Sequence, residues 1–123
     1  MAKLIDLKTY TDSRGSLTVL EKVLPFEIKR IYYIYDIPST DKVRAGHRHI
    51  RNIQALICLK GYCEIHNNSG KVTEIINLDS PDKCLILNPE DWHTMQNFSS
   101  DAILLVAASE YYDKSDYIDE EYK

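Results

Sequence analysis

The hydrophobic positions of this chain fall in short β-rich runs broken by turn-forming residues. Eight runs stand out: Lys3–Lys8, Ser16–Glu21, Lys29–Asp36, Gln54–Lys60, Tyr62–Asn67, Val72–Leu78, Cys84–Asn88 and Ala102–Ser109. They are rich in Ile, Val, Leu and Tyr, which sit well on a pleated, half-buried surface. Asp12-Ser13-Arg14-Gly15 predicts a turn, Pro38 to Asp41 a loop, Asn67 to Gly70 a hairpin connection and Asp79 to Asp82 another turn. Before residue 109 no stretch keeps helical spacing for three turns. Eight or more strands in about 110 residues predict an all-β sandwich or small barrel. A barrel of that size can hold one ligand in its mouth, lined by inward-facing alternate residues. The polar, acidic tail from Glu110 to Lys123 fits either a short helix or an ordered edge segment.

Composition narrows the function classes. The chain has 123 residues, which predicts one domain spanning 1–123. It carries 15 Lys and Arg against 19 Asp and Glu, a net charge of -4. That argues against a nucleic-acid partner, which calls for a basic surface. It leaves room for a small anionic ligand held by two or three arginines. No apolar run approaches the roughly 20 residues of a membrane helix, and the first residues lack a signal-peptide h-region. The expected setting is therefore cytoplasmic, without a membrane partner. Cys58, Cys63 and Cys84 form no CxxC motif or zinc-like cluster and read as small buried hydrophobes in a reducing compartment. Nine tyrosines against two phenylalanines suit half-buried strands, interfaces and polar pockets alike.

The most informative segment runs from Arg44 to Gly61. His47 and His49 are two apart on an extended segment and point to one face. Gln54 follows, and Gly61 closes the run. A second segment holds Pro89, Trp92, His93 and Asn97. These spacings resemble the two motifs of the cupin superfamily, whose fold is a small β-barrel or jelly roll. The first motif matches as HxH, four residues, Gln54, six residues, Gly61. The second matches only as His93, three residues, Asn97. Many cupins bind a metal through such histidines and a glutamate. Here the glutamate position is Gln54, a neutral and poorer ligand.

A closer resemblance covers nearly the whole chain. Asp12 to Leu17, Lys29 to Ile34, Arg44 to His49, Trp92-His93, Asn97 to Asp101 and Ala108 to Asp113 are similar, in that order, to the sugar-nucleotide 3,4-ketoisomerases. The resemblance implies a metal-free homodimeric cupin with no cofactor and an N-terminal segment exchanged between subunits. It implies action on dTDP-4-keto-6-deoxyglucose, on the route to 3-amino-3,6-dideoxy sugars of cell-surface glycans. The family pattern Arg-Gly-x-His-Ala-His reads here Arg44-Ala45-Gly46-His47-Arg48-His49, and alternation aims Arg48 away from the two histidines.

Moving a ketone from C4 to C3 needs a proton taken from C3, an enediol, and a proton returned to C4. Imidazole, with a pKa near 6.5, takes and gives protons near neutrality. His47 and His49 are the expected acid/base pair. The resemblance singles out Tyr33 as a hydroxyl donor to the enediolate. Arg14, Arg44 and Arg30 are the expected diphosphate ligands, because guanidinium matches phosphate geometry. Gln54 is expected to bind a sugar hydroxyl or orient a histidine. His93 reads either as a third pocket group or as a satisfied structural histidine. The acidic tail is expected to be a solvated face without a catalytic role. Three other readings compete: a 3,5-epimerase-like cupin, a metal-dependent cupin and a non-enzymatic sugar-binding cupin. The sequence shows no clear counterpart of the His–Asp pair on which the epimerase class relies.

Overall fold

The computed structural model describes residues 2–123. The chain runs through β1 (Lys3–Asp6), β2 (Lys8–Asp12), β3 (Gly15–Val19), β4 (Arg30–Ile34), β5 (Arg44–His49) and β6 (Gln54–Lys60). It continues through β7 (Cys63–Asn68), β8 (Thr73–Leu78), β9 (Lys83–Leu87), β10 (Trp92–Gln96) and β11 (Ile103–Ala108). A 3-10 turn at Lys114–Asp116 then leads into β12 (Tyr117–Ile118). Two five-stranded antiparallel sheets result, one ordered β1-β9-β6-β11-β4 and the other β12-β5-β10-β7-β8. The all-β expectation holds, as two ladders packed face to face in jelly-roll fashion.

Side-chain alternation explains the layers. In the first sheet Leu56, Cys58, Leu85, Leu87, Leu104 and Val106 face the second sheet. From that sheet Cys63, Ile65, Leu78 and Met95 meet them in the main core. The alternate residues Ala55, Ile57, Cys84, Ile86 and Ala107 form a second cluster, covered by Leu20, Leu24 and Phe26 from the segment after β3. The first sheet is thus buried on both faces, which is why β6, β9 and β11 read as nearly unbroken apolar runs. The second sheet has one wet face, and β7 alternates buried with half-buried positions along its length.

The pairing β2–β3 stands apart. Its two strands bond to each other and to neither main sheet. Tyr10 and Leu17 are more than half exposed on it. The tail resolves into both alternatives left open by its sequence, a single 3-10 turn followed by an edge strand on β5. All three cysteines are free and buried, as expected.

Candidate active site

β5 sets the site. His47 and His49 share a face two residues apart, with ring centroids 4.9 Å apart and nearly perpendicular planes. His93 of β10 lies directly across the ladder from His47, so it joins the same face. Its ring centroid is 5.3 Å from that of His47 and 6.5 Å from that of His49. Tyr117 of β12 lies across from His49 on the other side, and its ring sits 4.6 Å from both His47 and His49. The β5–β10 register shifts between His93 and Thr94. The extra length is taken up at Ala45 and Gly46, both with left-handed φ, +67° and +86°.

β4 supplies the opposite wall. Arg30, Tyr32 and Ile34 point inward, and with Arg44, Ala45, His47, Met95 and Tyr117 they line a cavity of about 290 Å³. Gln54 is buried, and its amide nitrogen donates to the Tyr32 hydroxyl at 3.0 Å. The Arg30 guanidinium stacks 4.7 Å from the Tyr32 ring centroid. Arg30, Arg44, His47, His49 and Gln54 are therefore brought to one end of the sandwich.

Two expected residues lie elsewhere. Tyr33 is 61% exposed and stacks on Tyr35, so of the two β4 tyrosines it is Tyr32 that lines the cavity, together with Tyr117. The alternation of β4 was legible, but it is symmetric between faces, and the burial of Ile34 in the core decides which side turns inward. Arg14 sits in the β2–β3 turn with its side chain 88% exposed, paired with Asp12 at 2.5 Å. It lines a separate concavity with Tyr10, Ser16 and Leu17.

The tail also differs from expectation. Asp116 is 2% exposed, and its Oδ2 lies 3.2 Å from His49 Nδ1. A His–Asp pair is thus present, and the acidic tail is not merely a solvated face. Asp116 and Tyr117 are the functional candidates that sequence reasoning missed. They lie 67 and 68 residues beyond His49, and no local pattern links them to it.

Burial governs the electrostatics. It pushes His47 down to about 3, with the neighbouring His93 and His49 adding to the effect. It pushes His93 down to about 4. His49 is also lowered by burial, and Asp116 works against that shift. Near pH 7 all three imidazoles are neutral and can accept protons. The Tyr32 phenol is raised, chiefly by burial, and holds its proton. The Nε2 atoms of His49 and His93 and the Oε1 of Gln54 are buried without a protein partner. Polar atoms of that kind call for a ligand or solvent to complete them.

The chain matches the family model "FdtA: WxcM-like, C-terminal" over residues 1–123. The chain belongs to the FdtA family. It is 45% identical over 118 residues to the TDP-4-oxo-6-deoxy-alpha-D-glucose-3,4-oxoisomerase of Aneurinibacillus thermoaerophilus, covering 94% of this chain and 84% of the relative. A solved TDP-quinovose 3,4-ketoisomerase from Campylobacter jejuni is 44% identical with a TM-score of 0.92, over 97% of this chain and 92% of that one. A variant of the 3,4-ketoisomerase from Thermoanaerobacterium thermosaccharolyticum, solved with TDP-4-keto-6-deoxyglucose, is 40% identical with a TM-score of 0.92. That match covers 97% of this chain and 87% of the other.

A metal on the cupin histidines does not fit this FdtA-family site. Gln54 offers a neutral amide where a carboxylate would stand, a poorer donor that supplies no charge to an ion. Among the described residues no group of three or more His, Cys, Asp or Glu side chains is arranged to hold an ion. Nor, among those residues, is any helix long and apolar enough to cross a membrane.

Proposed function

We propose that this protein is a sugar-nucleotide 3,4-ketoisomerase that converts dTDP-4-keto-6-deoxyglucose to the dTDP-3-keto-6-deoxyhexose, in the cytoplasm, for synthesis of 3-amino-3,6-dideoxy sugars of cell-surface glycans. The observation that carries the reading is the cluster of neutral imidazoles, with half-buried His47 lining a cavity that also holds Arg30 and Arg44 and with His49 and His93 buried against it. The relatives named above act in this class. Their shared substrate type, a keto sugar on a nucleoside diphosphate, suits both parts of the site.

In this reading one imidazole takes the C3 proton, acidified by the adjacent C4 ketone. The C–H electron pair becomes the C3–C4 double bond, and the carbonyl oxygen gains a proton from a neighbouring donor. The resulting enediol then loses the proton on its C3 oxygen, and an imidazolium returns a proton to C4. The steps balance without an oxidant or reductant. His49 is the assigned carbon base and His47 the assigned oxygen proton carrier. Tyr32, held by Gln54, is the phenol placed to donate to the enediolate oxygen. Arg30 and Arg44 are assigned to the diphosphate.

The assembly belongs to the same proposal. A homodimer in which each β2–β3 pair crosses to the partner would cover Tyr10 and Leu17 and bring Arg14 to a nucleotide. The support is that this pair has no strand partner in its own chain and carries exposed apolar residues.

Proton NMR of dTDP-4-keto-6-deoxyglucose with the protein in heavy water tests the reaction. A 3-keto sugar is expected. A second reading, epimerisation, draws on the His49–Asp116 pair. It predicts exchange at C3 or C5 with the ketone still at C4, and that outcome would replace the isomerase reading.

A further inference from the structure

The C-terminal tail does more than close the edge of a sheet. We propose that Asp116 is a positioning residue that holds His49 in a single tautomer, with Nδ1 protonated and Nε2 bare. This assignment rests on the reading of His49 as a proton acceptor.

Donor and acceptor roles settle the tautomer. The His49 Nδ1 atom meets Asp116 Oδ2 at 3.2 Å. Both Asp116 oxygens accept from backbone N–H groups, and in accepting from Nδ1 as well the carboxyl group leaves the hydrogen on Nδ1 and the Nε2 lone pair free. His49 Nε2 is buried and has no hydrogen-bond partner within 3.5 Å, with the Gln54 side chain beside the ring. A base locked in the other tautomer would turn an N–H toward the substrate and could not take a proton.

The carboxylate itself is clamped. Arg51 donates its backbone N–H to Asp116 Oδ1 at 2.8 Å, and Asn52 donates to Oδ2 at 3.2 Å. The Arg51 guanidinium approaches Oδ1 to 3.8 Å. The backbone of Asp116 is held as well, by Ile50 N–H at 3.0 Å and by its own N–H on Asp113 at 3.0 Å. The Arg51–Asn52 loop that Asp116 grips follows directly from β5, so the distance to His49 is set by a short path. Beyond Asp116 the tail is anchored to its own sheet, with Trp92 Nε1 donating to the Asp119 carbonyl and the Tyr122 hydroxyl donating to the Glu90 carbonyl.

The charge also matters. When Nε2 captures a proton, the imidazolium forms 3.2 Å from the buried Asp116 side chain. His93 provides the contrast. Its Nδ1 donates to the Asp91 carbonyl at 3.0 Å, which sets the same tautomer through a neutral oxygen. The other groups facing His49 are His47, His93, Tyr117, the Gln54 side chain and the cation of Arg30. Each either adds no charge or opposes a second positive one, so Asp116 is the compensating anion.

The test separates positioning from simple bracing of the loop. In Asp116→Asn the amide oxygen can keep the Arg51 bond, while the NH2 group faces His49 Nδ1 and favours the opposite tautomer. Two-bond proton–nitrogen correlation spectra of the uniformly 15N-labelled full chain at pH 7.5 read the tautomer directly. The wild type is expected to show His49 with Nδ1 protonated, and Asp116→Asn to shift it to Nε2 protonated. With dTDP-4-keto-6-deoxyglucose, kcat should fall at least about 100-fold in that variant, while dTDP affinity stays within about threefold. His49 with Nε2 protonated in the wild type would overturn the proposal, and that measurement needs no foldable variant. So would Asp116→Asn with undiminished kcat, or with kcat and dTDP affinity lost together at an unchanged tautomer. If the wild type fails to isomerise the keto sugar, the functional reading falls, and the tautomer spectrum still decides the role of Asp116.

Discussion

Gln54 donates its side-chain amide to the hydroxyl of Tyr32, at 3.0 Å. The two residues come from different strands of one sheet, β6 and β4, with β11 between them. The bond ties an edge strand to the interior and aims the phenol at the imidazole cluster. In Tyr32→Phe the buried Gln54 nitrogen loses its acceptor. The expected cost is about 1–2 kcal/mol, from an orphaned buried donor. That corresponds to a Tm lower by roughly 4–8 °C in a chain of this size. Turnover should fall as well. Scanning calorimetry and a keto-sugar assay on the same variant check both halves.

His49→Asn removes the assigned carbon base while leaving a side chain of similar shape. Turnover of dTDP-4-keto-6-deoxyglucose should drop by at least about 100-fold. Binding of dTDP, measured by titration calorimetry, should be retained, because the nucleotide is assigned to the arginines. Full activity in this variant would take His49 out of the chemistry.

Among the described residues Arg14 is bonded to its own turn, through Asp12. Its replacement should therefore leave Tm unchanged within about 1 °C, since exposed ion pairs contribute little. If the β2–β3 pair crosses to a partner, Arg14→Ala should raise KM for the dTDP sugar by about tenfold. An unchanged KM would leave the hairpin without a role in nucleotide binding.

Acid should destabilise the protein. His47 and His93 titrate near 3 and 4 in the folded chain and near 6.5 when unfolded. Between those values the unfolded state binds more protons, so the folded state loses ground as pH falls. Their contribution is fully present above about pH 6.5 and is lost progressively toward pH 4. Thermal melts at pH 7.5, 6.5, 5.5 and 4.5 should show Tm falling at each step below 6.5. In His93→Gln the slope should be shallower. A Tm that is flat across this range would contradict neutral burial of the imidazoles.

Much of this protein is written in its local pattern. The apolar runs of β6, β9 and β11 announce a sheet buried on both sides, and the turn residues mark the ends of the strands. The spacing of His47 and His49 puts both on one face by geometry alone, and Arg48 between them points away, as its stacking on Tyr122 shows. What a period of two cannot convey is which face is inside. Tyr32 and Tyr33 are equivalent by alternation, and only the packing of Ile34 against the other sheet turns the first inward and the second to solvent. Nor can a local pattern reveal contacts across the chain. Asp116 and Tyr117 sit in a polar tail that reads as solvated, yet strand pairing with β5 delivers one to His49 Nδ1 and the other to both imidazole rings. Tertiary structure decided these points because burial and long-range pairing depend on what the rest of the chain covers, which neighbouring residues do not encode.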